Sequence, residues 1–87
     1  MKKSPVELLA AHMGLQAEFL RECLRDGALA PEELADDPLE VPASRLARLR
    51  RLQRLCRSLD VDAFAGVIIV DLLEQLDELR GELERRA

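Results

Sequence analysis

Ser4-Pro5-Val6-Glu7-Leu8-Leu9-Ala10-Ala11-His12-Met13-Gly14-Leu15-Gln16-Ala17-Glu18-Phe19-Leu20-Arg21-Glu22-Cys23-Leu24-Arg25-Asp26-Gly27 sets the fold of this chain. Ser4 can cap a helix, Pro5 suits the first helical position, and Glu7 completes a capping box. The spacing predicts a short helix from Pro5 to about His12 and a turn at Met13-Gly14-Leu15. A second helix follows from about Gln16 to Arg25, with Gly27 as its left-handed stop. Ala10 and Gly14 stand four apart with Leu9, Met13 and Leu15 around them, and Leu20 and Cys23 take apolar positions of the second helix. Small residues at the crossing and a glycine at the turn are what a helix-turn-helix over residues 4–27 requires.

Outward from that unit, residues 28–43 hold Pro31, Pro38 and Pro42 with five acidic side chains. One helical turn near Pro31–Ala35 fits there, and the remainder reads as loop. Ser44 is placed to cap a third helix to about Leu59. On a helical wheel Leu49, Leu52, Leu55, Cys56 and Leu59 share one stripe, opposite Arg50, Arg51, Arg54 and Arg57. Asp60 or Asp62 caps a last helix over about 61–85. Ala, Glu, Lys, Leu and Arg fill 52 of the 87 positions, a bias typical of long helices. An all-α single domain over 1–87 is expected: a helix-turn-helix, then two longer helices, the last with coiled-coil character.

Ile69, Leu72, Leu76, Leu79 and Leu83 step by 3, 4, 3 and 4, the seam of a coiled coil. That seam either packs on the third helix of the same chain or joins two copies as a homodimer; the expectation is the homodimer. Asp71, Glu74, Asp77, Glu78 and Glu82 lie off the seam, either as a solvated face or as an acidic docking surface.

Net charge is −4, unevenly spread. Residues 1–43 carry four basic and nine acidic side chains, 44–58 carry six Arg and no acid, and 59–87 carry three basic and eight acidic. Affinity for phosphates comes mostly from Lys and Arg, so nucleic acid is not expected as a partner. Cys23 and Cys56 fall at apolar helical positions without a CxxC, which suggests buried, reduced thiols and a cytoplasmic setting. No signal peptide is expected at the start, and the apolar run Ala63 to Val70 is too short to span a membrane. His12 is the only histidine, without a metal-ligand partner nearby; no metal or cofactor is expected. Ser4, Ser44 and Ser58 have no His partner in sequence reach, and the four glycines form no phosphate loop. The chain is not expected to be an enzyme.

The run Leu20-Arg21-Glu22-Cys23-Leu24-Arg25-Asp26-Gly27-Ala28-Leu29-Ala30-Pro31 resembles the MerR superfamily of helix-turn-helix regulators. There, Leu-Arg-Tyr-Tyr-Glu is followed two residues later by Gly-Leu-Leu and a Pro. Leu20, Arg21, Gly27, Leu29 and Pro31 match that frame, whereas Glu22, Cys23 and Leu24 depart from it. The basic wing that follows in that superfamily is replaced by Glu32, Glu33, Asp36, Asp37 and Glu40. The second half, Leu49 to Leu73, is similar to the chaperone-modulator (CbpM-like) branch, related in role to the DnaK–DnaJ assembly factor. That resemblance implies a modulator of the Hsp70 chaperone system, binding a J-domain co-chaperone, with Hsp70 as a further candidate partner, through Asp71, Glu74, Asp77 and Glu78. The alternatives are a MerR-like DNA-binding regulator lacking a wing, and an adaptor or antitoxin-like dimer without a chaperone link.

Overall fold

The computed structural model describes residues 2–86, among which there is no strand. Helix α1 spans Pro5–Met13. Its capping box forms as expected: the Glu7 amide donates to Ser4 Oγ (3.3 Å), and the Ser4 amide donates to Glu7 Oε1 (3.4 Å). Gly14 ends the helix at φ 70°, where its own amide and that of Leu15 reach back to the carbonyls of Ala11 and Ala10. Helix α2 spans Ala17–Arg25 and begins at Gln16, whose side chain makes no capping bond. Gly27 at φ 80° stops it, and the Leu29 amide closes the end on the Cys23 carbonyl at 3.1 Å. Leu9, Ala10 and Met13 of α1 meet Leu20 and Cys23 of α2 in the core.

Residues 28–42 are more ordered than a plain loop. Two single 3-10 turns, Pro31–Glu33 and Pro38–Glu40, punctuate them; only the first was expected from the sequence. Ala28, Leu29 and Val41 are buried, so this segment folds down onto the core. Glu33 fastens it twice, accepting from the Ala30 amide (2.7 Å) and pairing with Arg45. Asp37 accepts from the Leu39 amide at 3.0 Å and opens the second turn.

Helix α3 spans Ala43–Leu59 and corrects one expectation. Pro42, extended at φ −57° and ψ 143°, is the capping residue, and Ser44 lies inside the first turn. The Pro42 carbonyl already accepts from the Arg45 and Leu46 amides, which leaves Ser44 nothing to cap. Leu49, Leu52 and Cys56 are buried as predicted, and Leu55 is half-buried. Leu59 is 53% exposed, because the helix ends there and Asp60 turns the chain away at φ 54°.

Helix α4 spans Ala63–Arg86. Asp62, one of the two expected caps, accepts from the Ala65 amide at 2.9 Å. The helix runs back antiparallel along α3, burying Ala63, Gly66 and Val70. At 1.5 Å per residue its 24 residues extend about 36 Å, beyond the 17-residue α3. The molecule is accordingly elongated, 58 × 28 × 20 Å. From Gln75 to Arg86 every residue except Gly81 is exposed.

Candidate functional site

In a helix-turn-helix the second helix is the element that would meet a duplex. On α2, Glu18, Arg21 and Arg25 are exposed and Glu22 is half-buried. Arg21 is already engaged, pairing with Glu18 at 3.3 Å. The segment that would supply a wing lies against the core and carries carboxylates. Neither element offers a clear run of cations to a phosphate backbone.

Helix α4 presents three unlike faces. Ala63, Gly66 and Val70 form the face toward α3. Half a turn away on the helical wheel, Phe64, Ile68, Leu72, Leu76, Leu79 and Leu83 form an uncovered apolar stripe, each 48–66% exposed. Four of the five predicted seam residues lie in this stripe, and Ile69 is half-buried at its edge. The alternative in which the seam packs on α3 of the same chain is therefore corrected: α3 takes the opposite, small-residue face. Phe64 and Ile68 belong to the stripe and escaped the heptad reading, although the step of four through 64, 68, 72 and 76 carries their signal. Uncovered apolar patches of a few hundred Å² mark interaction sites on soluble proteins.

The third face of α4 carries the carboxylates. Asp71 and Glu74 converge on Arg48 of α3, at 2.6 and 3.2 Å. Both keep about half of their side-chain surface exposed, 52% and 45%. Asp77, Glu78 and Glu82 are exposed and make no ion pair among the described residues. The six-Arg run of α3 thus divides by use. Arg45 and Arg48 bind carboxylates within the chain, Arg50, Arg54 and Arg57 are exposed, and Arg51 is half-buried without an ion pair among the described residues.

Cys23 and Cys56 are free and buried. Burial pushes the Cys23 thiol up to about 12, with the nearby Cys56, Glu22 and Asp26 adding to it. Burial, then Asp62, raises Cys56 as well, and its thiol donates to the Asp62 carbonyl at 3.4 Å. Thiols held protonated in this way pack as small apolar groups. Among the described residues, no group of three or more His, Cys, Asp or Glu stands where it could hold a metal ion. No described helix is long and apolar enough to cross a membrane.

These elements define a helix-turn-helix module continued by a helical hairpin with one uncovered face. The chain belongs to the MerR family: the family described as MerR HTH family regulatory protein matches it over residues 5–86. No curated protein and no solved structure gives a significant match.

Proposed function

We propose that this chain is a non-enzymatic, protein-binding modulator of the cytoplasmic Hsp70 system that docks on a J-domain co-chaperone. The observation that carries the reading is the carboxylate face of α4, on which Asp77, Glu78 and Glu82 make no ion pair among the described residues. J-domains present a basic second helix to Hsp70, and an acidic helix complements it. Such complementarity speeds encounter and selects partners. The resemblance of Leu49–Leu73 to the chaperone-modulator branch supports the same assignment.

The working form is a homodimer through the apolar stripe of α4. Phe64 and Leu83, like Ile68 and Leu79, lie equally far either side of the midpoint between residues 73 and 74, and Leu72 and Leu76 lie either side of residue 74. One antiparallel register therefore pairs Phe64 with Leu83 and Ile68 with Leu79 across a two-fold axis, and brings Leu72 and Leu76 within one residue of facing each other. The carboxylate face lies off the stripe and stays open in that arrangement.

Titration of the purified chain with J-domains from the same cell tests the reading. Reversing charge at Asp71, Glu74 and Glu78 together (to Lys) should weaken binding at least tenfold. Unchanged affinity removes this face from the interaction, and no binding to any J-domain removes the chaperone assignment. One observation favours a second reading, a wing-less DNA-binding regulator: Arg50, Arg54 and Arg57 are exposed on one edge of α3 and make no ion pair among the described residues. A salt-sensitive gel shift on duplex DNA, lost in an R50A/R54A/R57A variant, would establish it.

A further inference from the structure

An open cleft of about 270 Å³ lies between α2 and the turn joining α3 to α4, lined among others by Glu18, Phe19, Glu22, Gln53, Arg57 and Asp60. Its volume falls below the roughly 300–1,000 Å³ of small-molecule sites, and suits a single long side chain. Among the described residues Gln53 is the one buried polar side chain, 9% exposed. Its carboxamide makes no hydrogen bond within the described residues, and no wholly enclosed polar atom is left unpaired, so its remaining opening is onto the cleft. Its polar atoms therefore stand at the cleft surface, where a donor entering from a partner can reach them.

Charge selects the partner. Three carboxylates line the cleft against one guanidinium. Glu18 is shared with Arg21, but half-buried Glu22 and exposed Asp60 make no ion pair among the described residues. The carbonyl end of α3 also closes here, at Asp60, and adds partial negative charge. Phe19, half-buried, supplies an aromatic surface of the kind cations favour.

We infer that this cleft receives one arginine side chain of the bound protein partner. Its guanidinium donates to the Gln53 carboxamide oxygen and the Glu22 carboxylate, two acceptors that match its forked donors, and lies against Phe19. The inference rests on the protein-binding reading above and adds a second contact to it, on α2 and α3 rather than on α4.

The test uses the full chain and N-acetyl-arginine amide as probe. In an NMR titration, the Gln53 side-chain amide and the Glu22 backbone amide should shift saturably. Gln53→Leu and Glu22→Gln, each with wild-type circular dichroism and melting temperature, should abolish those shifts. Shifts spread evenly over Asp77, Glu78 and Glu82, or produced equally by acetate, would overturn the inference, as would none at all. In the J-domain titration, Glu22→Gln should weaken binding about tenfold, the loss expected of one charged hydrogen bond. A probe that shifts the cleft while no J-domain binds leaves the cleft standing and removes the chaperone reading. A silent probe, with J-domain affinity equal in wild type and both variants, removes the cleft and leaves that reading intact.

Discussion

Gly66 of α4 stands directly over Cys56 of α3: a Cβ at position 66 would lie 2.5 Å from the Cys56 Sγ and 2.9 Å from Leu52 Cδ1. Both neighbours are buried and have nowhere to retreat. Ala normally favours a helix over Gly by about 1 kcal/mol. Overpacking opposes that gain and typically costs about 1–3 kcal/mol. Gly66→Ala should therefore destabilise the chain in urea denaturation. Gly81→Ala is the control, since its Cβ would meet only the flexible tip of Arg85 at 3.4 Å. It should stabilise, by up to about 1 kcal/mol.

Arg48 joins α3 to α4 through Asp71 and Glu74, all three partly exposed. Solvent screening keeps such pairs to roughly 0.2–1 kcal/mol each. Arg48→Ala should lower stability by about 1 kcal/mol in dilute buffer and by less in 1 M salt. The same variant frees two carboxylates on the proposed docking face. J-domain affinity should rise as stability falls, an opposition that isothermal titration alongside thermal melts will display.

Leu72 and Leu79 are 55% and 56% exposed and contribute little to the monomer core. In sedimentation equilibrium the wild type should be a dimer, and a Leu72→Glu, Leu79→Glu double variant a monomer with unchanged helical circular dichroism. The melting temperature of the wild type should rise with protein concentration, as linkage to association requires. A wild type that sediments as a monomer at micromolar concentration removes the α4 seam from the account.

The buried thiols give a pH dependence of definite sign. The Cys23 thiol is held up to about 12 against an ordinary 9.0, so between these values the folded chain keeps a proton that the unfolded chain releases. Stability is unaffected below pH 9 and falls as pH rises above it, by at most about 1.4 kcal/mol per pH unit for one thiol. Cys23→Ser should remove most of that slope in chemical denaturation at pH 8–11. Ellman's reagent at neutral pH should modify Cys23 only at the rate of unfolding.

The first half of the fold is legible because its signals are local. Ser4, Pro5 and Glu7 start a helix, and Gly14 and Gly27 stop two, through contacts that span a few residues. The register of α4 against α3 is not local. Ala63 to Val70 is apolar on every side, so periodicity alone does not say which side meets α3. Gly66 and Ala63 decide it, since only a small-residue face allows the close approach seen at Cys56. That choice turns Phe64 and Ile68 outward and shifts the stripe away from Ile69. The Arg48 fork is equally invisible, as it joins residues more than twenty positions apart. Its visible half was the row of acids, from which Asp77 and Glu78 emerge uncompensated and Asp71 and Glu74 do not. The cleft at Gln53 needed three elements to come together, and a lone glutamine on an apolar stripe gave no warning of it.

The acidic segment at 28–42 is anchored as well as acidic. Swinging it outward, as a finger reaching for a duplex must, would expose Leu29 and Val41 and break the Glu33 contacts. Each aliphatic side chain brought into water costs about 1.5–3 kcal/mol. A change of charge alone would leave that cost in place. Converting this molecule into a duplex reader would take a rebuilt core beneath the segment, with the surface substitutions coming second.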